Sequence, residues 1–165
     1  MSRARDLAVL FATLLLFWVM LEGTLAADTL IVGVVAALTI ALLFRDSLSF
    51  FTEVRSTPRA FAAGVLYYGY FFKELVKSNF RIAAIVLSPS LPIKPGIVKV
   101  RTRLQSRMGR LMLANSITLT PGTLTVEVDG QWLYVHCVTV ESTDIDAATA
   151  EIVAGFERYL EVMYG

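Results

Sequence analysis

The sequence has 165 residues, 56% of them apolar and 18% charged, against roughly 45–50% and 25% in soluble domains. With a mean hydropathy of +0.64, the composition argues against a plain soluble monomer. The net charge is +1, but its distribution is uneven. Residues 81–110 hold seven Lys or Arg and no acid, while residues 111–165 hold eight acids and one base, Arg158. The single cysteine, Cys137, has no partner for an internal disulfide, so nothing points to an oxidising compartment.

Residues 7–21 and 29–44 are two uncharged apolar runs separated by EGTLAAD. Each falls slightly short of the ~20 residues that cross a hydrocarbon core, and flanking polar side chains that snorkel bring both to spanning length. They predict a transmembrane helical hairpin. A cleaved signal peptide is the alternative for the first run, given Arg3, Arg5, Ala26 and Ala27. The second run, following at once, argues against it. Arg3 and Arg5 precede the hairpin, Arg45, Arg55 and Arg59 follow it, and its turn holds only Glu22 and Asp28. The positive-inside rule then puts both outer ends in the cytoplasm.

Ala60 to Phe72 is uncharged and ring-rich, and Lys73, Glu74, Lys77 and Arg81 come next. Tyr68, Phe72, Leu75, Asn79, Ile82 and Val86 share one helical face. The reading is a long amphipathic helix over 60–87 at the cytoplasmic interface, stopped by Pro89. A third crossing is the rival, and it would send the basic segment to the wrong side. Pro89, Pro92, Pro95 and Gly96 make 88–96 a linker.

Beyond it the pattern predicts a strand over 97–103, a helix from a Thr102/Gln105 capping box to about Leu119, and a Thr120-Pro121-Gly122 turn. Leu124–Val128 and Trp132–Val140 then read as a hairpin around Asp129-Gly130. A two-residue loop there sets Val126 opposite Leu133 and Leu124 opposite Val135. Trp132, Tyr134 and His136 share the other face. A helix capped by Ser142 or Thr143 follows, with Ile145, Ile152, Val153, Phe156, Leu160 and Met163 as its stripe. The chain thus divides into a hairpin with its loop (1–59), an interfacial helix and linker (60–96), and a small cytoplasmic α+β domain (97–165). The order β-α-β-β-α is a partial ferredoxin-like unit, near the lower size limit for a self-sufficient core.

The chemistry on offer is thin. One His and one Cys cannot build a metal quartet. Adjacent in a strand, His136 and Cys137 point to opposite faces and form no nucleophilic pair. No phosphate-cradling glycine pattern or cofactor motif is present. The basic 81–110 segment fits anionic lipid headgroups better than nucleic acid. The acids of the last helix read as a solvated face. An enzyme lacks the positioned acid/base set it needs. The two expected crossings carry no internal charge, so this chain alone offers no ion path. Only Lys73, Glu74 and Lys77 could enter the apolar layer, and snorkelling at its edge accounts for them.

KELVKSN (73–79), IVLSPSLPIKPGI (85–97), LMLANSITLTPGTLTVEV (111–128) and LYVHCV (133–138) together resemble the E subunit of Mrp-type, also called Mnh-type, multisubunit cation/proton antiporters. They are similar too to the related subunit of membrane-bound hydrogenase-type complexes. The resemblance covers nearly the whole chain, and ANSITLTPGTLTVEV is its specific part. It implies a small assembly subunit of a bacterial inner-membrane complex that exchanges sodium for protons, with the ion paths in larger subunits. No catalytic residue is implied. Asn115, Ser116, Thr118, Thr120, Pro121 and Gly122 are its distinctive positions here. The interface candidates are these six with Trp132, Tyr134 and His136, together with Lys73, Glu74 and Lys77. The alternative is a membrane-anchored regulatory domain with a polar pocket near Asn115 and His136 for a small ligand or ion.

Overall fold

The structure, a computed structural model, describes residues 3–44, 53–55 and 57–165. Arg45 and most of the loop read before residue 59 lie outside the described residues. The chain divides into two compact units, Met1–Glu53 and Val54–Gly165.

The first unit is a helical hairpin of α1 (Arg3–Glu22) and α2 (Ala27–Leu43). Gly23, at φ +65°, turns the chain after α1, and its N–H bonds the Val19 carbonyl at 3.0 Å. Trp18 donates from Nε1 to the Thr29 carbonyl at 3.1 Å, stapling the two helices. The ring lies so close to Gly33 that a Cβ there would clash with it. Gly33, Ala37 and Ala41 are the buried residues of α2, so small side chains bring the backbones together. The large ones, such as Phe17, Met20, Ile31 and Val35, point outward. Among the described residues, no helix is long and apolar enough to cross a membrane.

The second unit begins with α3 (Pro58–Leu87). Thr57 caps it by accepting from the Ala60 N–H at 3.1 Å, with Pro58 in the first turn. Its packed side is Ala60, Ala63, Tyr67 and Ser78. The face expected at the membrane interface is a different side, on which Tyr68, Phe72 and Val86 are exposed. Both sides of α3 are apolar over much of its length, so periodicity alone could not say which one the chain buries.

A three-stranded antiparallel sheet follows, with order β1-β3-β2, from β1 (Gly96–Arg101), β2 (Thr123–Asp129) and β3 (Trp132–Cys137). α4 (Arg107–Leu119) separates β1 from β2. Its cap is Ser106, accepting from the Gly109 N–H at 2.9 Å, and not Thr102. Thr102 is buried and spends its hydroxyl on Glu157. The hairpin register also differs from the expected one. The loop is Gly130-Gln131, so Val128 pairs with Leu133, and a bulge between Thr125 and Glu127 sets Leu124 opposite His136. One extra residue in a strand moves everything beyond it to the other face. Leu124 is therefore exposed rather than in the core.

The predicted last helix is two: α5 (Ile145–Ile152), capped by Asp144, and α6 (Ala154–Tyr164). The chain bends at Val153, and Gly155 just beyond gives the Tyr70 hydroxyl room that a Cβ would take. Tyr70 meets Phe156 edge-on at 5.1 Å between ring centres, a preferred aromatic geometry. The core gathers Val98 and Val100 of β1, Leu113 and Ile117 of α4, and Leu133 and Val135 of β3. Val153, Phe156 and Leu160 complete it, with Ala63 and Tyr67 from α3.

Candidate interface

The sheet sorts its side chains by strand alternation. Val98, Val100, Leu133, Val135 and Cys137 face the core. The other face sets Ile97 and Leu124 beside His136, Lys99 and Glu127 beside Tyr134, and Arg101 and Asp129 beside Trp132. Ile97 is 61% exposed, and Leu124 and the bulged Val126 are exposed too. The Lys99 ammonium sits 4.2 Å from the Trp132 ring centre and 5.6 Å from that of Tyr134. Such cation–π contacts contribute about 0.5–1 kcal/mol at exposed sites. They hold the two rings and the charge as one amphipathic patch. Burial pushes the Cys137 thiol up, with the Glu151 charge adding to it, which suits a core filler and not a nucleophile.

The ANSITLTPG segment ties most of its polar groups into bonds within the fold. Ser116 is buried, donates to the Met112 carbonyl at 2.6 Å and is bonded to the Tyr67 hydroxyl of α3. Burial raises the Tyr67 pKa above its ordinary value, and the Ser116 bond opposes that shift. Thr118 accepts from the Thr125 N–H at 3.1 Å, and Thr120 donates to the Ser116 carbonyl at 2.8 Å. Thr123 donates to the carbonyls of Ile117, at 2.6 Å, and Thr120, at 3.0 Å. Gly122 adopts φ +95°, in the region that favours glycine, and Pro121 beside it is half-buried. Asn115 is exposed on α4. This segment is a corner lock joining α4, β2 and α3.

The same corner meets the charged part of α3. Glu74, Lys77 and Arg81 line a cleft of about 120 Å³ with Thr120, Thr123 and Glu151. Beside it lies a cavity of about 60 Å³ whose walls include Arg81, Pro121, Gly122, Thr139 and Glu141. Lys77 pairs with Glu74 at 3.6 Å and Arg81 with Glu141 at 3.7 Å. Among the described residues the buried Thr139 hydroxyl has no partner, and a cavity of that size admits a bridging water. Lys73 is exposed. The structure thus joins Glu74 and Lys77 to Thr120, Pro121 and Gly122, and puts Trp132, Tyr134 and His136 on a separate face. Among the described residues, no group of three His, Cys, Asp or Glu side chains is placed to hold a metal.

Sequence reasoning missed Glu157. Read as part of a solvated face, it is 3% exposed. Its Oε1 accepts from the Thr102 hydroxyl at 2.5 Å and the Arg103 N–H at 2.7 Å. The Arg103 guanidinium bridges Glu157 at 3.4 Å and Glu161 at 3.2 Å. A buried carboxylate is tolerable only with such partners. The one available signal was its position between Phe156 and Leu160 on the apolar stripe.

A family model described as "MNHE: Na+/H+ ion antiporter subunit" matches residues 11–163. The chain belongs to this family. The corresponding Na+/H+ antiporter E subunit of Alkalihalophilus pseudofirmus is 34% identical over 77% of this chain and 79% of its own. That of Bacillus subtilis is 32% identical over 87% and 89%. Among solved structures, a chain of the membrane-bound sulfane sulfur reductase, an archaeal respiratory membrane complex, is 32% identical. It covers 95% of this chain and 98% of its own, with a TM-score of 0.76. The resemblance read from the 111–128 segment holds. Membership makes this chain one subunit among several, with other subunits as its partners. The family is a transporter component rather than a catalytic enzyme.

Proposed function

We propose that the chain is an accessory subunit of a multisubunit sodium/proton antiporter that acts by anchoring and packing and performs no chemistry of its own. The observation that carries this reading is the large apolar surface the chain leaves uncovered: one face of its sheet, the outward side of α3 and nearly all of its hairpin. Surfaces of this size mark contact with protein or membrane. Trp132, Tyr134 and the face around them serve as a docking patch, since aromatic anchors with a polar rim dominate interface energetics. Replacing Trp132 and Tyr134 with Asp, followed by gentle solubilisation, tests this. Loss of co-purification with the other subunits is expected, and unchanged recovery would remove this face from the interface.

The hairpin is the membrane anchor in this reading. At about 1.5 Å per residue, the 17 residues of α2 fall a few ångströms short of a ~30 Å hydrocarbon core. Local thinning and the flanking Leu25 and Phe44 accommodate that deficit. Loop charge puts the second unit on the cytoplasmic side. Its α3 then presents Phe61, Tyr68 and Phe72 towards the headgroup level, beside Lys73 and Lys77. Single cysteines, Thr24→Cys or Ser88→Cys in a Cys137→Ser background, report this topology. A membrane-impermeant reagent outside the cell is expected to label position 24 and miss 88. Labelling of position 88 would favour a third crossing. A second reading, the related subunit of another membrane complex, is favoured by the likeness to the sulfane sulfur reductase chain. Identifying the co-purified subunits separates the two.

A further inference from the structure

One groove of the second unit is left open by the chain itself. It holds about 600 Å³, against about 120 and 60 Å³ for the polar clefts beside the corner. That volume falls in the range of ligand pockets. The start of α3 lines it with Phe61, Val65 and Tyr68, and the rest of the lining includes Val54 and Met163 of α6. The Arg55 N–H bonds the Met163 carbonyl at 2.8 Å, which ties the segment before α3 to the end of α6. Gly64 lines the groove too. A Cβ there would meet the Met163 methyl group at 3.6 Å, an ordinary contact, so position 64 admits a side chain and a long one takes up the open space.

The walls are apolar and uncovered. Phe61 is 77% exposed, Val65 60% and Tyr68 55%. They stand four and three residues apart, and the same helical face runs on through Phe72 and Val76, both exposed. The groove is thus continuous with the apolar side of α3 that meets the headgroup level. Among the described residues, Arg55 is the one charged group in its walls, at the end where α3 begins. Arg59, in the first turn of α3, is a second exposed cation there. Neither guanidinium forms an ion pair among the described residues, and Gly165 lies against that of Arg55. An apolar trough with a cation at one end complements an amphiphile with a hydrocarbon tail and an anionic head. An extended protein segment fits less well, because its backbone N–H and C=O groups would find few partners on these walls.

We propose that this groove binds one acyl chain of an anionic membrane phospholipid, with the phosphate held at Arg55. The inference rests on the reading of the hairpin as a membrane anchor, and it gives the subunit a lipid site of its own. Burial of the tail supplies the affinity, and the guanidinium supplies the choice of headgroup.

The test uses the full chain in phosphatidylcholine vesicles doped with phosphatidylglycerol that carries a diazirine in its acyl chain. Crosslinks, mapped by mass spectrometry, are expected to gather on Phe61, Val65 and Met163. Gly64→Leu fills the groove and is expected to lower them roughly tenfold. Gly69→Leu is the control on the same helix, since a Cβ at Gly69 meets nothing within 4 Å, and it is expected to leave them within about twofold. Crosslinks spread evenly over Phe72 and Val76, or unchanged in a folded Gly64→Leu chain, overturn the proposal. If Gly64→Leu misfolds, headgroup choice decides. Arg55→Gln is expected to lower the preference for the phosphatidylglycerol probe over its phosphatidylcholine counterpart about fivefold, and an unchanged preference overturns the proposal. Groove crosslinks that vanish in the assembled complex also overturn it, because a partner subunit is then the occupant. Extraction of the chain from membranes by alkaline carbonate would sink the anchor reading and the lipid site together, whereas retention without groove crosslinks sinks the lipid site alone.

Discussion

The hairpin and the second unit spend their apolar residues in opposite ways. In the second unit Val100, Leu113, Leu133, Val135 and Leu160 are fully buried, and the buried Ser116, Thr102 and Glu157 have partners. In the hairpin the buried residues of α2 are Gly33, Ala37 and Ala41, while leucines, valines and phenylalanines face outward. Burial of large side chains stabilises a fold by about 1.5–3 kcal/mol each. The second unit collects that gain internally. The hairpin can collect it only from an apolar medium or a partner. A high apolar fraction thus does two jobs in one chain, and composition alone does not separate them.

Matched truncations break or sharpen this contrast. Leu160→Ala, at a fully buried site, is expected to cost about 2–5 kcal/mol, read by chemical denaturation of the second unit in detergent. Leu16→Ala, at a site 62% exposed, is expected to change that transition by less than about 0.5 kcal/mol. Equal costs would mean that the hairpin is part of the same cooperative core. Next in size is Glu157→Ala. It leaves the buried Thr102 hydroxyl and the Arg103 N–H without their acceptor, at about 3 kcal/mol. A loss no larger than that of Glu151→Ala, an exposed neighbour, would return Glu157 to the solvated face.

The same contrast explains what was legible in the residues. The helices and strands of the second unit have periodic or punctuated signatures, but nothing in the pattern announces the break at Val153 that divides the last helix into α5 and α6. The errors came where a tertiary partner overrode a local rule. Thr102 looks like a helix cap, but Glu157, 55 positions away, takes its hydroxyl, and Ser106 caps the helix instead. The β2 register needed a bulge that no residue announces. The face that α3 buries depends on which neighbour folds against it. The corner segment was recognised as distinctive, yet its work lies in bonds to Tyr67 and Thr125, which are distant in sequence or on another strand. Family resemblance marked these residues as distinctive, and only the coordinates said that Ser116 is buried while Asn115 and Thr118 stay exposed.

Smaller effects test the corner. Gly122→Ala must accept φ +95°, at about 1–2 kcal/mol, and its new Cβ would press on Ile82 at 3.0 Å. Loss of the corner is expected to loosen the β2 edge, so the Thr123 and Thr125 amides should exchange faster even where the global transition barely moves. Faster exchange of the β1 amides instead would mean that the two edges are not independent.

The last effect depends on pH. The Tyr67 hydroxyl titrates above 10.0 in the fold, chiefly because burial disfavours the phenolate. A group whose folded pKa is raised contributes stability that is complete below its unfolded value and is lost as pH climbs through the folded one. The neutral Tyr67–Ser116 bond therefore supports the α3–α4 contact at neutral pH and weakens above about pH 10. Tyr67→Phe removes that bond at every pH and removes the titration with it. The variant is expected to be about 1 kcal/mol less stable than the wild type near neutrality, with the difference closing as pH rises past the unfolded value. Tyr70, also raised by burial but held at the rim with Glu74 and Arg158, gives the comparison within the same helix. A gap that stays constant into strong alkali would show that Tyr67 opens to solvent before it ionises, and that the α3–α4 contact is looser than the buried hydroxyl implies.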